Sequence, residues 1–217
     1  MTSPNNQAAA IARHYLVDMA RGRLAVLASG TGTTTEAVIS ACQGGRIEAD
    51  VALVIGNNTG SGVFERAATR GVPTLHLSSL AYPEAMELDR AMLRALSEYR
   101  VTHLALAGYT KLIGTEVLAA YRGRAFNLHP SLLPAFGGKG MYGHRVHAAV
   151  LASGVPVTGV TVHLITDTYD DGPIIAQAEV KVRTDDDVYS LAARVEEAGR
   201  ELLVRVLSSF FSPPGGR

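Results

Sequence analysis

Asn127 and His129 stand two residues apart in Ala-Phe-Asn-Leu-His-Pro-Ser-Leu-Leu-Pro, and their types and spacing suit proton-coupled chemistry. Residues 125–128 read as a short apolar strand, stopped by Pro130, which lacks a backbone donor. Side chains two apart on a strand share a face. An amide and an imidazole converging on one point suit a reaction in which an oxygen gains negative charge while a proton moves. By itself the pair is also the pattern of a hydrogen-bonded core histidine beside a turn asparagine.

These side chains need elements to position them. Residues 101–107 read as a buried strand and 114–121 as a helix leading into the central stretch at residues 122–143. Further back, the apolar run 23–28 ends in Ser-Gly-Thr-Gly-Thr-Thr-Thr and a helical pattern at 36–42. Strand, glycine-rich turn and helix offer backbone N–H groups to an anion. Gly30 and Gly32 let the backbone come close, and Thr33 and Thr34 add hydroxyl donors. No third glycine completes a dinucleotide fingerprint, so a monophosphate is the expected guest; taken alone, the loop is also an ordinary βα turn.

Strands are expected at residues 51–55 and 73–77, with helices at 63–70 and from Pro83 to about Tyr99. Four strands alternating with helices argue for an α/β fold with a doubly wound, mostly parallel sheet. After a helix at 144–153, strands at 158–165 and 174–182 flank a loop with no helix between them, so the carboxyl-terminal part should be antiparallel. Asp185, Asp186 and Asp187 should cap a last helix at 188–211. The reading is one domain at residues 23–211, with an amino-terminal extension at 1–22 and a frayed tail at 212–217.

The chain has 217 residues, with 20 Lys plus Arg against 20 Asp plus Glu, so no electrostatic footprint for nucleic acid is present. No apolar run has the length of a membrane span, and the first 22 residues lack the apolar core of a secretory signal, so a cytoplasmic chain is expected. Cys42 stands alone, which leaves no multi-cysteine metal cluster. Small-molecule partners fit this balance best.

Asn-Leu-His-Pro-Ser-Leu-Leu-Pro resembles the signature of the folate-dependent formyltransferases, and Gly-Gly-Lys-Gly-Met-Tyr-Gly at 137–143 resembles the following loop in one branch of their glycinamide ribonucleotide transformylases. The resemblance runs from about Arg23 to Phe210 and implies a Rossmann-like sheet, with 10-formyltetrahydrofolate as co-substrate and no metal. It implies that the chain acts as a monomer or homodimer and transfers the formyl group to the amine of glycinamide ribonucleotide in purine synthesis. It places Asn127, His129 and Asp170 at the catalytic positions. Asn127 would donate to the formyl oxygen, and a protonated His129 would stabilise the charge with Asp170 assisting proton transfer. Without the resemblance, Asp170 also reads as a turn carboxylate ahead of Gly172-Pro173.

By the same resemblance, substrate phosphate lies on Gly30, Gly32, Thr33 and Thr34, and the pterin lies against Thr110, Lys111, Leu112 and Ile113 together with Thr166, Asp167 and Asp170. Asn127 also faces the folate, and Glu196, Gly199 and Arg200 face the acceptor. His163 takes a supporting role, while His144 and His147 are expected to be solvated or structural. Thr34 replaces a common Asn, and Gly199-Arg200 replaces a Glu-His pair of many relatives. These departures keep a second reading open, the same transfer to another amine. A formyltetrahydrofolate hydrolase and a non-catalytic nucleotide-binding module are further alternatives.

Overall fold

A computed structural model of the chain describes residues 21–212. The amino-terminal extension and the tail therefore fall almost wholly outside the described residues. Seven strands form one sheet: β1 (Gly22–Ala28), β2 (Ala49–Gly56), β3 (Thr74–His76), β4 (His103–Leu106), β5 (Ala125–His129), β6 (Val157–Leu164) and β7 (Ile174–Lys181). Six helices join or follow them: α1 (Thr33–Gln43), α2 (Val63–Thr69), α3 (Ala85–Glu98), α4 (Thr115–Ala120), α5 (His144–Ser153) and α6 (Val188–Phe211).

The strand order is β3-β2-β1-β4-β5-β6-β7. The first five strands are parallel, and β6 and β7 are antiparallel to their neighbours. The central parallel strands β1 and β2 are mostly buried on both faces, which is why they read as continuous apolar runs. One face is covered by α1, α2, α5 and α6, through Val38, Ile39, Val63, Val150, Leu191 and Leu202. The other is covered by α3 and α4, through Met92, Leu96, Val117 and Tyr121.

Beyond β1 the chain winds first toward β2 and later toward β4, so the order reverses between β1 and β4. That reversal opens a crevice beyond the carboxyl ends of the two strands. Most boundaries fall within about three residues of expectation, and two of the differences bear on the argument. Pro83 lies before the long helix, whose N-cap is Glu84, and His129 is the last residue of β5 rather than the first beyond it. Asp187 does cap α6: its carboxylate accepts from the backbone of Tyr189 and Ser190, and Ser190 completes the reciprocal box. Among the described residues no helix is long and apolar enough to cross a membrane.

Candidate active site

The turn after β1 is shaped from behind. Asn58 donates to the Ser29 carbonyl at 2.7 Å, Arg66 to that of Thr31 at 3.0 Å, and the Ser61 hydroxyl to that of Gly30. The loop's carbonyls are thus engaged on one side, and α1 begins with no side-chain cap. Its leading N–H groups, at Thr33 and Thr34, are the kind that bind an anion. Gly32 is required there: its φ is 81°, and a Cβ would lie 2.6 Å from the Val63 backbone. Gly30 has open space around it, so no neighbouring atom requires glycine there. The Thr110 N–H donates to Ser29 Oγ at 2.9 Å and ties this turn to the one after β4.

Asn127 and His163 are cross-strand partners on β5 and β6, and their side chains meet at 3.0 Å. His163 Nδ1 donates to the Leu164 carbonyl at 2.9 Å, which leaves Nε2 to accept from the Asn127 amide. That is the only side-chain hydrogen bond of Asn127 among the described residues. His129 Nε2 lies 2.9 Å from the Phe136 carbonyl and Nδ1 3.4 Å from Asp170 Oδ2. Both nitrogens thus face oxygen acceptors, the pattern that a doubly protonated ring satisfies.

Asp170 arrives by an indirect route. The strand β6 runs antiparallel and ends beside the start of β5, where the Ile165 N–H meets the Ala125 carbonyl. Its loop must return about 13 Å along β5 to reach His129. Asp170 makes the return with φ 54°, a left-handed geometry that aspartate adopts more readily than most residues. Its carboxylate then faces His129 and, at 3.6 Å, His163 Nε2, and accepts the Gly138 N–H at 2.9 Å. Burial would raise the Asp170 carboxyl, but the contacts with His129 and His163, the charge of His129 and the Gly138 N–H hold it well below the usual carboxylate range.

These groups open on a cavity of about 650 Å³, within the size range of small-molecule sites. Gly30, Gly32, Thr33 and Thr34 line it, as do Asn127, His129 and Asp170. Thr110, Lys111, Leu112, Ile113 and Thr166 also line it, with Glu196 and Gly199 from α6. Two expected contacts are absent from the wall. Asp167 is exposed beside Thr168, and Arg200 pairs with Glu197 on its own helix. At Gly199 a Cβ would stand 3.2 Å from the Leu128 side chain and 3.4 Å from that of Val160, a close fit where α6 meets the sheet.

Two polar residues below the site went unread in the sequence. Thr161 Oγ1 accepts from the Leu133 N–H at 3.0 Å and donates to the Ser131 carbonyl at 2.7 Å, fixing the turn that follows His129. Gln177 reaches across from β7 to Thr161 and to the Leu133 carbonyl. The β6–β7 register slips between Val162 and His163, an irregularity of the ladder beside the Asn127 partner. Of the two states expected for His147, solvated or structural, burial excludes the first: it is 3% exposed, it lines the cavity, and its Nδ1 is enclosed without a partner among the described residues. Its register with Val150 on the buried side of α5 was the available signal.

A doubly wound sheet with this cluster at its switch point defines a class. The chain belongs to the formyl transferase family, whose model matches residues 22–207. It is 38% identical to the chloroplastic phosphoribosylglycinamide formyltransferase of Arabidopsis thaliana, over 87% of this chain and 65% of that one. The chain thus spans just under two thirds of that plant relative's length. It is 34% identical to the phosphoribosylglycinamide formyltransferase of Bacillus subtilis, over 81% of this chain and 87% of that one. The solved structure of glycinamide ribonucleotide transformylase 1 from Geobacillus kaustophilus superposes with a TM-score of 0.82 at 38% identity, covering 88% of this chain and all of that one.

Proposed function

We propose that this protein transfers the formyl group of 10-formyltetrahydrofolate to the amine of glycinamide ribonucleotide, a step of purine synthesis. The observation that carries the reading is the convergence of Asn127, His129 and Asp170 in one cavity with the uncapped start of α1. The names of the relatives supply the acceptor, and the resemblance of the Asn-Leu-His-Pro-Ser-Leu-Leu-Pro signature supplies the folate donor. The phosphate of the acceptor rests on Gly32, Thr33 and Thr34, and the pterin lies beside Thr110, Lys111, Leu112 and Ile113.

In this reading the uncharged amine adds to the formyl carbon, and the carbonyl electrons move onto oxygen. Asn127, oriented by His163, donates its second N–H to that oxygen. The Nδ1–H of His129 supplies the other donor. Its 3.4 Å separation from Asp170 exceeds the roughly 2.7–2.9 Å of a tight charge-assisted bond. The reacting oxygen or a water can therefore share that proton. Nε2 stays with the Phe136 carbonyl and fixes the ring. Collapse of the adduct expels the folate nitrogen, which takes the proton lost by the attacking amine, and Asp170 keeps His129 able to pass it on.

The test is release of deformylated folate, followed by absorbance with glycinamide ribonucleotide present or absent. Acceptor-dependent release is expected. Release in water alone would mean a hydrolase, release only with a different amine would mean another acceptor, and none with any amine would mean a binding module. His129→Ala and Asp170→Asn should each lower turnover by roughly 100-fold or more while remaining folded. Near-normal turnover in either variant would remove it from the mechanism.

A further inference from the structure

The phosphate cradle is built without a cation. Of the described residues that line the cavity, Lys111 alone is a lysine or arginine, and it follows β4, among the residues assigned to the pterin. The start of α1 therefore offers backbone N–H groups, threonine hydroxyls and the helix dipole, which are partial charges only. A full negative charge nearby would weigh heavily on such a site.

Glu36 is the acidic residue in the first turn of α1. It stands one turn beyond Thr33, which lines the cavity, and helical side chains lean toward the N-terminus of their helix. Left to itself, its carboxylate would lie close to a bound phosphate and compete for the same N–H groups. The α2 segment draws it away. Arg66 Nη1 donates to one oxygen of Glu36, and Arg70 Nη2 donates to the other at 3.3 Å. Arg66 also donates through Nε to the Thr31 carbonyl at 3.0 Å, which fixes the guanidinium behind the loop. The approach is close: at Gly62, the N-cap of α2, a Cβ would stand 3.0 Å from the Thr31 carbonyl oxygen. Folding stability does not account for the pair. The Arg66 and Glu36 side chains keep 41% and 29% of their exposure, and an ion pair so placed contributes little to folding.

We propose that Arg66 is a positioning residue for the acceptor phosphate: it holds the Glu36 carboxylate off the start of α1, leaving those N–H groups to the phosphate. The assignment rests on the formyl-transfer reading above and its phosphate placement. Arg66 acts through Glu36, and neither side chain lines the cavity. Two guanidiniums against one carboxylate also leave a net positive charge behind a cradle that has no cation of its own.

The test measures formyl transfer by the full-length protein to glycinamide ribonucleotide and to its dephosphorylated form, glycinamide riboside. Wild type, Arg66→Met, Arg66→Lys, Glu36→Gln and the double variant Arg66→Met/Glu36→Gln are compared. In Arg66→Met the KM for the ribonucleotide should rise about 5- to 10-fold, the effect of one screened like charge, with kcat and the KM for the formyl donor within about twofold of wild type. Its kcat/KM for the riboside should equal that of wild type. Arg66→Lys keeps a charge beside Glu36 and should stay close to wild type, and the double variant should regain the wild-type KM. Added salt should narrow the gap between Arg66→Met and wild type. An unchanged KM in Arg66→Met overturns the proposal. A loss that persists in the double variant overturns it in favour of the Thr31 contact. An equal loss with the riboside, or failure of Arg66→Met to fold, overturns it in favour of a structural role. A wild type with the same KM for both acceptors overturns the phosphate placement, and one without acceptor-dependent turnover overturns the formyl-transfer reading. Either result takes this proposal with it, and the wild-type control tells which reading failed.

Discussion

The candidate catalytic groups are coupled through one carboxylate. Asp170 faces the His129 ring and the Gly138 N–H, and its ionised form is the one these donors select. A carboxyl whose folded pKa is depressed stabilises the protein fully above its unfolded value, and this is lost as pH falls through the folded value. Asp170→Asn should therefore cost on the order of 1–3 kcal/mol at pH 7, the scale of hydrogen bonds to a charged group. Urea unfolding should show the gap from wild type shrinking below about pH 4, near the unfolded aspartate pKa. A gap that widens in acid would contradict the assignment. Asn127 and His129 were legible in the sequence because a strand repeats every two residues. Asp170 was not legible from spacing, because the loop that carries it doubles back along β5.

At the scale of elements, a short helix depends on a residue from another. The six-residue α4 has no side-chain N-cap of its own; instead buried Asp89, on α3, accepts from the Glu116 N–H at 2.7 Å and the Val117 N–H at 3.2 Å. Gly114 makes room, since a Cβ there would overlap the Asp89 carboxyl group. Asp89→Ala should cost about 0.5–2 kcal/mol in denaturant unfolding, the range for a lost helix cap. Faster amide exchange at Glu116 and Val117 should accompany it, and unaltered protection would show that the cap is dispensable. An aspartate inside an amphipathic helix reads as solvated, so nothing local marked Asp89 as buried. By contrast, Asp187 was legible as a cap, because its partners Tyr189 and Ser190 are its own near neighbours.

For the whole molecule, the sheet buries charge-averse groups along with its apolar core. His103, at the start of β4, packs edge-on against Phe210 and Phe211, and burial with the nearby Arg124 charge brings its pKa down to about 4. The unfolded chain takes up protons that folded His103 refuses, so this contribution is present above about pH 6.5 and fades as pH falls toward 4. The denaturant midpoint should drop across that window. A His103→Phe variant, if folded, should show a shallower drop in chemical unfolding series from pH 7 to 4.5, and an identical slope would show that His103 does not contribute.

Apolar periodicity, the glycine-rich turn and the Asn-x-His spacing determined the fold class, the order of strands along the chain and the pair at the end of β5. Each depends on residues within one strand or turn of one another, where backbone geometry leaves few choices. The tertiary structure alone decided that the loop after β6 sends Asp170 back to His129, that α6 brings Gly199 close to Leu128, and that His147 is buried on α5. Those outcomes depend on which surfaces meet when distant segments pack, and burial and pairing energies across the sheet set them.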